Sequence, residues 1–454
     1  MNPLKKEVKG ISKGKNREEV EKSTGFVHTE LVGMNKAIDI IAVACSSCWD
    51  KKIPDDWAGR AEYVARRTRT GHTSILEHSN FVVYINVPEA FMDDMVRFLS
   101  WIKYLNKNVY RNSKGEWCIL LGGSYRGFSD LYLQCDDLNN AVLKSVTKCL
   151  YDYAPSAVFE DVCKAGLMDI NMFINAEPDP ENFKYLSCSF DGDTNFDDFE
   201  IIGIDDIKIL RNNIWNIDKE FCTSLSNIDL IKYVTVSVLF KNMSRIITQQ
   251  LCRHRNAITQ ESQRYVDYSK ACFNSPAKFK DRYDSSHKYT VKFGSKEFHM
   301  DLQELGESIC NIYGMLQDPV DGKEFALLKE DARAYLPGNT QCRKIYMTFT
   351  YATLFKFLHL REASGAQAEI RQYAVRIGDW IRSHTKFSTK EIMDTYIKAK
   401  LLIDRDPFYG TDEWWIEDTD GDTTTRSEVS EDDYLNYLNK VEADVNSANN
   451  DVTE

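Results

Sequence analysis

The sequence lacks the marks of a membrane, secreted or general nucleic-acid-binding protein. No stretch of the 454-residue chain approaches the roughly 20 consecutive apolar residues that span a membrane, and the N-terminal stretch has no apolar core of signal-peptide length. Basic residues are in the minority, with 57 Lys and Arg against 69 Asp and Glu. Affinity for nucleic acid comes mostly from clustered Lys and Arg that neutralise phosphates. We therefore expect a cytoplasmic protein with no membrane and no nucleic-acid partner, in which a local basic pocket for a small anion is still compatible.

The sequence also lacks a recognisable metal site or disulfide framework. Its 12 cysteines are scattered without regular spacing, and its 8 histidines show no zinc-type pairing, so no metal site is expected. Cys45 and Cys48 form a CxxC that follows an apolar run. Because a free cysteine packs like a small hydrophobe, this pair is expected to be structural.

Mixed helical and alternating periodicities predict an α+β fold, with a central, mostly antiparallel sheet flanked by helices and a large insertion. Apolar spacing predicts helices at 29–48, 57–69 and 244–251, and alternation predicts a strand over 234–240. The expected organisation is a mobile N-terminus (1–25), a catalytic domain in two pieces (26–88 and 229–402), an insertion of unknown role (89–228), and an acidic tail with a terminal helix (403–454).

One stretch, residues 250–265, concentrates groups that recognise polar ligands. Guanidinium and imidazole groups there alternate with amide and hydroxyl side chains, a combination that suits a phosphorylated, heteroatom-rich ligand. Two more arginines, Arg333 and Arg361, are placed by the periodicity at breaks beside apolar helices. Taken singly, each of these cations fits a surface or interface salt bridge better than a ligand site, and their joint placement weakens that explanation without removing it. The polar groups of the stretch are Gln250, Arg253, His254, Arg255, Gln260, Ser262, Gln263 and Arg264.

Nucleophilic chemistry has weaker support in this stretch. Cys252 stands beside Arg253, whose charge favours a thiolate, but its place on an apolar helix favours core packing. Ser262 has no Asp-His partners in a recognisable order, so a hydrogen bond to a ligand is easier to support. His254 lies between two arginines, which favours a neutral, hydrogen-bonding ring.

Four ordered motifs resemble the flavin-dependent thymidylate synthase family, also called the thymidylate synthase complementing proteins. They are Gly71-His-Thr-Ser-Ile-Leu-Glu-His78, the stretch Arg253-His-Arg255 with Gln260-Glu-Ser-Gln-Arg-Tyr265, Ala332-Arg-Ala-Tyr-Leu-Pro337, and Leu360-Arg-Glu-Ala-Ser-Gly-Ala-Gln-Ala-Glu-Ile-Arg371. The resemblance covers roughly 28–88 and 230–400.

The resemblance implies reductive methylation of dUMP to dTMP, with methylenetetrahydrofolate as one-carbon donor, NADPH as reductant and FAD as cofactor. It also implies a homotetramer whose sites are shared between subunits. Arg264, Arg361 and Ser262 are expected at the reacting centre, with Ser262 not acting as a nucleophile. The residues that it assigns to dUMP are Gln250, Gln260, Ser262, Gln263, Arg264, Arg333 and Arg361, and those that it assigns to FAD are His72, Ser74, Glu77, Arg253, His254, Arg255 and Asn256.

The sequence departs from the family pattern at three places. Ser262 lies seven residues beyond Arg255 where the family usually has eight, Gly365 replaces a histidine of some members, and Thr350-Tyr-Ala352 replaces a frequent Asn-x-Arg. These departures keep a second hypothesis open, a non-catalytic nucleotide-binding or regulatory homologue that retains the dUMP pocket. A third hypothesis, nucleic-acid binding through the same arginines, is disfavoured by the acidic balance.

Overall fold

The computed structural model of the chain describes residues 26–174, 183–187, 193–269, 274, 287–319, 322–363 and 365–383, together with the backbone of 414–420 and 423–429. The N-terminal segment 1–25 and most of the tail, including the predicted terminal helix, lie outside these residues.

Strands and helices are interspersed along the described chain. The strands are β1 (His28–Met34), β2 (Phe81–Val87), β3 (Asn106–Arg111), β4 (Trp117–Gly123), β5 (Phe199–Ile204), β6 (Thr235–Ser244), β7 (Ala257–Gln260), β8 (Tyr289–Phe293), β9 (Lys296–Met300), β10 (Gln341–Thr350), β11 (Trp414–Asp420) and β12 (Thr423–Val429). The α-helices are α1 (Ala37–Trp49), α2 (Trp57–Arg69), α3 (Met92–Trp101), α4 (Tyr125–Gln134), α5 (Ala141–Tyr153), α6 (Glu160–Lys164), α7 (Ile207–Ile217), α8 (Lys219–Ser224), α9 (Asn227–Leu230), α10 (Arg245–Cys252), α11 (Leu302–Gln317), α12 (Lys329–Ala332), α13 (Tyr351–Glu362) and α14 (Ala368–Ser383). Short 3₁₀ turns include Thr73–His78 and Arg333–Tyr335.

The two main sheets have four strands each, in the orders β1-β2-β4-β3 and β5-β6-β10-β7, and all of their strand pairs are antiparallel. The predicted α+β class with antiparallel pairing is confirmed. The strands divide between two sheets of equal size, where the sequence predicted one central sheet. Residues 89–228, expected to be an insertion, supply β3 and β4 to the first sheet and β5 to the second.

Three local predictions were wrong. Residues 28–34 form a strand and not the start of a helix, because they hydrogen-bond to β2 and tertiary pairing overrides local periodicity. Arg361 lies in the last turn of α13 and not in the break after it. The adjacent glycines Gly122 and Gly123, a pair that predicts a turn from sequence, instead end β4 and pair with β2.

Helices cover the sheets and bury two large apolar clusters between the layers. Helix α1, which follows a strand of the first sheet, packs on β7 and β10 of the second sheet. Helix α7, which follows β5 of the second sheet, packs on β1 of the first. Each sheet therefore packs against a helix that follows a strand of the other sheet. This packing fixes the strand ends of the two sheets relative to each other. In the described part of the chain, no helix is long and apolar enough to cross a membrane.

The CxxC is structural, as predicted. Cys45 is buried in α1, and burial raises the pKa of its thiol to about 12 and that of Cys48 to about 11. Both thiols therefore stay protonated near neutral pH. Cys252 differs from the expectation of core packing, because it is exposed at the end of α10.

Candidate functional site

The Arg-His-Arg group lies in the turn between α10 and the edge strand β7. Ile247, Thr248 and Leu251 bury one face of α10 and fix its direction. The backbone N–H of Arg253 then bonds to the carbonyl of Gln250, and the turn closes at Arg255 with a φ of 48°. This left-handed conformation is uncommon for a residue other than glycine. It reverses the chain so that β7 can pair with β10.

His254 and Arg361 are in direct contact. The Arg361 Nε–H donates to His254 Nε2 at 3.0 Å, and the imidazole packs edge-on against Phe357 with ring centroids 5.1 Å apart. Burial, with the charges of Arg361 and Lys356, lowers the pKa of His254 to about 4. The ring is therefore neutral at physiological pH, as the sequence indicated, and the accepted bond leaves its proton on Nδ1.

A second contact joins the same two motifs. The Gln250 side-chain amide donates to Gln367 Oε1 at 2.6 Å, which connects the start of the signature stretch to the start of α14. Burial and the nearby charge of Arg253 lower the pKa of Arg361. Concentrated positive charge of this kind favours an anionic ligand.

The second half of the signature stretch is anchored by Glu261, which sequence reasoning overlooked. Its side chain has no exposed surface, and its carboxylate accepts from Arg343 Nε at 2.7 Å, from the Tyr268 hydroxyl at 2.5 Å and from the Arg343 backbone N–H at 3.1 Å. Ser262 is held by its N–H, which donates to the carbonyl of Cys48 at 3.1 Å. A charged side chain inside a run of polar residues gave no signal that it would be buried.

Arg264 and Arg333 meet at a common residue, Glu330, which was also overlooked. Arg264 Nε donates to Glu330 Oε2 at 2.8 Å, and Arg333 Nε donates to the Glu330 carbonyl at 3.0 Å. Both arginines are exposed. Gln260 ends β7 with an exposed side chain, and Gln263 is half-buried beside Arg264. Together with Ser262, these residues form a polar surface that can present donors to an anion.

The segment that begins at Gly71 spans two environments. The His72 ring packs edge-on against Trp49 at 4.6 Å, and Trp49 also lies 6.4 Å from the Tyr265 ring, so His72 belongs to the side of the signature stretch. Ser74 is exposed. Glu77 lines a cavity, where burial raises the pKa of its carboxyl although the nearby Arg126 opposes the shift.

That cavity has a volume of about 760 Å³ and lies between the ends of the two sheets. It brings together Glu77, Arg255 and Asn256, three residues assigned to FAD from the sequence. Arg264, Arg333 and Arg361 are not part of its lining. The other polar residues of its lining include Asn80, Tyr104, Asn106, Ser124, Arg126, Asp130, Lys232, Thr348, Thr350 and Thr353.

His78, which ends the first motif, joins the two sheets. Its ring nitrogens lie 3.0 Å from the hydroxyls of Thr348 and Thr259, and the ring stacks on Tyr346 at 4.7 Å. Complete burial lowers the pKa of His78 to about 3. The neutral ring fixes the first motif against β7 and β10, which places Glu77 beside the Arg-His-Arg turn.

Apart from Ser74, which is exposed, the sequence-predicted residues thus fall into three groups in one chain. Glu77, Arg255 and Asn256 line the cavity. Gln250, Arg253, His254 and Arg361 form the cationic end of α10. Gln260, Ser262, Gln263, Arg264 and Arg333 form the polar surface beyond β7, with His72 beside them through Trp49 and Tyr265.

Comparison with known proteins gives matches of three kinds. Residues 224–385 match the family model "Thymidylate synthase complementing protein". The chain is 31% identical over 145 residues to the flavin-dependent thymidylate synthase of Nitratidesulfovibrio vulgaris (strain Hildenborough), a match that covers 32% of this chain and 54% of that relative. The chain therefore spans about half the length of the curated relative that it matches.

Two solved structures of the flavin-dependent thymidylate synthase ThyX from Helicobacter pylori, both with FAD and dUMP, are also similar. One has a TM-score of 0.24 at 17% identity and covers 37% of this chain and 76% of that one. The other has a TM-score of 0.29 at 16% identity and covers 40% of this chain and 92% of that one. Likeness at these TM-scores is too weak to bear on the fold. The family match and the curated relative confirm the resemblance to the flavin-dependent thymidylate synthase family, and residues 224–385, which contain three of the four motifs, match its family model.

Proposed function

We propose that this protein is a flavin-dependent thymidylate synthase, which converts dUMP to dTMP with methylenetetrahydrofolate as one-carbon donor and NADPH as reductant of FAD. The observation that carries the proposal is the contact of Arg361 with His254 at 3.0 Å, supported by that of Gln250 with Gln367 at 2.6 Å. Motifs more than 100 residues apart meet at one point, inside the segment that matches the family.

The residues around the cavity fit FAD. Its volume of about 760 Å³ lies within the roughly 300–1,000 Å³ of known ligand pockets. Arg255 and Arg126 supply cations for the pyrophosphate, and the amide of Asn256 and the hydroxyls of Ser124 and Thr350 suit the hydroxyls of ribitol and ribose. Glu77 lines the same cavity, and Arg253, His254, His72 and Ser74 complete the set assigned to FAD.

The polar surface around Arg264 fits the nucleotide dUMP. A phosphate monoester requires cations, which Arg264 and Arg333 supply, and a uracil ring requires amide and hydroxyl partners, which Gln260, Ser262 and Gln263 supply. The ion pair of Arg264 with Glu330 is exposed on both sides, so exchanging it for a phosphate costs only about 0–1 kcal/mol. Gln250 and Arg361, at the cationic end of α10, are the remaining residues that we assign to dUMP.

Bound flavin supplies the hydride; the protein binds and orients the reactants. Neutral His254 accepts a hydrogen bond from Arg361 and so holds the guanidinium in place without competing for its charge. The Ser262 hydroxyl accepts the backbone N–H of Arg264 at 3.3 Å, which shapes the loop. We assign Ser262 to binding and not to nucleophilic attack.

The resemblance implied a homotetramer with shared sites. We propose likewise that one site is built from more than one copy of the fold. This agrees with the separation of the cavity from the polar surface within the chain.

The test is an anaerobic assay of the purified full-length chain for dTMP formation from dUMP, methylenetetrahydrofolate and NADPH with added FAD. We expect a yellow preparation that forms dTMP. A colourless protein that binds dUMP but never turns over would support the regulatory homologue instead.

Arg264→Ala tests the dUMP site. We expect its affinity for dUMP to fall by about 1.5–3 kcal/mol, because one charged hydrogen-bonding group is lost. The control is Arg97→Ala, which also removes an exposed, ion-paired arginine but lies far from the motifs in sequence. Equal dUMP affinity of the two variants in calorimetry would contradict the site.

A further inference from the structure

The two four-stranded sheets have the same topology. In each, the first two strands pair, the fourth strand joins the second, and the third lies at the edge beside the fourth. The helices also correspond: α1 and α7 follow the first strands, α3 and α10 connect the second strands to the third, and α4 and α13 follow the fourth. We call residues 28–153 the first repeat and residues 199–383 the second repeat.

The hydrogen-bond register is the same in both repeats. Leu31 pairs with Val83 and Ile201 with Val238, and each first strand then has a bulge before a glycine. These glycines, Gly33 and Gly203, pair with the residues that precede Val83 and Val238. A bulge is a local irregularity, so its recurrence at the same position is a specific sign of common architecture.

Side-chain contacts recur at matching positions. The N–H of Asn80 donates to Asn35 Oδ1 at 2.9 Å, and the N–H of Thr235 donates to Asp205 Oδ2 at 2.8 Å. Asn35 and Asp205 each stand two residues before α1 or α7. The Asn80 side chain also donates to Asp205 Oδ2 at 3.3 Å, so the two copies of this contact meet where the repeats adjoin.

The helices after the fourth strands are capped alike. Ser124 caps α4 by accepting the N–H of Gly127, and Thr350 caps α13 by accepting the N–H of Thr353. A fully buried tyrosine follows each cap, Tyr125 or Tyr351. The next residues, Arg126 and Ala352, are therefore equivalent.

The other cavity positions follow from the same register. Counting back three residues from Asn80 and Thr235 makes Glu77 equivalent to Lys232. Asn106 pairs with Gly122, and Ala257 with Thr348, so counting back two residues makes Tyr104 equivalent to Arg255.

Of the three equivalent pairs Arg126 and Ala352, Glu77 and Lys232, and Tyr104 and Arg255, every residue except Ala352 lines the cavity, to which each repeat contributes the same three loops. The side chains at equivalent positions differ in their chemistry. Ala352 stands where the first repeat has Arg126, and Lys232 stands where it has Glu77. Tyr104 stands where the second repeat has Arg255. The first motif also packs across the repeats, through His78 on Thr259 and Thr348. Glu77, Arg126 and Arg255 thus belong to one half of the cavity and Lys232 and Tyr104 to the other, whereas Ala352 is not part of the lining.

We propose that the chain is a tandem of two copies of one fold that have divided a single binding site between them. The first repeat supplies Arg126 as a phosphate-binding residue beside Arg255 of the second, and the mirror half of the cavity holds no second ligand. The identity of the ligand as FAD rests on the proposed function. Arg126 has donors for it, because a guanidinium carries five N–H groups and, among the described residues, Arg126 donates one to Thr73 and one to Asp130. On this proposal residues 89–228 are the end of one repeat and the beginning of the next.

The test measures FAD binding to the full-length chain by titration calorimetry in Arg126→Ala and in Lys232→Ala. Both changes remove a cation from the same cavity, one from each half. We expect about a 10- to 100-fold loss of affinity in Arg126→Ala, less than about a 2-fold change in Lys232→Ala, and one FAD per chain. Two FAD per chain, or equal losses in the two variants, would overturn the division of the site. Arg126→Gln removes the charge but keeps a polar side chain of similar length, and it replaces the alanine variant, with the same expected loss, if that variant does not fold.

Failure of the proposed function gives a different pattern. If the wild type binds FAD but forms no dTMP, the thymidylate synthase assignment fails and the divided site stands. If the wild type binds no FAD, the probe becomes ADP. ADP binding that is lost in Arg126→Ala and kept in Lys232→Ala supports the site, whereas ADP binding that is absent, or equal in all three proteins, overturns it.

Discussion

The buried carboxylate of Glu261 offers the sharpest test of how the signature stretch is held. Glu261 lies between Gln260 and Ser262 and forms an ion pair with Arg343. Only one partner of this pair is shielded from water: Glu261 is fully buried, whereas the Arg343 side chain is 47% exposed. Replacing Glu261 by Gln keeps the shape, removes the charge, and places an amide N–H₂ against groups that all donate. The same substitution at Glu330 removes the partner of Arg264 from an exposed pair.

The two substitutions should differ in free energy of unfolding. Removing one partner of a fully buried ion pair costs about 3–5 kcal/mol, but Arg343 can regain water, so we expect about 2–3 kcal/mol for Glu261→Gln. Glu330→Gln should cost about 0–1 kcal/mol, the range of exposed pairs. Urea unfolding followed by circular dichroism gives both values from the shift in midpoint. A Glu261→Gln protein as stable as Glu330→Gln would refute the view that this carboxylate anchors the loop.

Two further predictions concern the junction of the repeats. The pKa of His78 is lowered to about 3 in the folded protein. Between about pH 6.5 and pH 3 the imidazole of His78 is therefore protonated in the unfolded chain but not in the folded one, so the free energy of unfolding falls as the pH is lowered through this range. Between pH 7 and pH 5, the free energy of unfolding of His78→Gln should therefore fall by about 2 kcal/mol less than that of the wild type, as measured from urea midpoints. An equal fall in the two proteins would contradict the buried neutral ring. At the matched bulges, a Cβ on Gly33 would come within 2.5 Å of Leu186, whereas one on Gly203 would meet Ile40 at 3.4 Å. Gly33→Ala should lower the free energy of unfolding by about 1–3 kcal/mol and Gly203→Ala by much less, and the reverse order in urea midpoints would contradict the packing.

The local parts of the site could be predicted from the sequence, because they depend on short-range patterns. Helical spacing before Arg253 placed the Arg-His-Arg group at a helix end, and like charge around His254 indicated a neutral ring. The structure agrees on both, although burial is the largest cause of the lowered pKa of His254.

The long-range parts could not be predicted, because the partners are far apart in sequence. Glu261 is buried only because Arg343, Tyr268 and the backbone of β10 surround it. In the sequence, His78 is only the last residue of a motif. Its bridging position depends on contacts with Thr259 and Thr348, which are far away in the sequence. The strand at 28–34 was missed for the same reason, since its apolar residues fit a helix until β2 pairs with them.

The repeat is hidden from sequence reading because its two copies keep register and burial but not residue identity. Leu120 and Tyr346, for example, occupy equivalent positions of β4 and β10, and each is buried in the apolar cluster centred on the other repeat. Division of the site also accounts for a departure from the family pattern. The frequent Asn-x-Arg is missing at Thr350-Tyr-Ala352, and the equivalent residues of the first repeat, Ser124-Tyr-Arg126, retain the arginine on the same cavity. A chain that carries two copies of the fold can lose a group from one copy when the other supplies it at their junction. Two such chains would then provide the four copies of the fold that the resemblance implies.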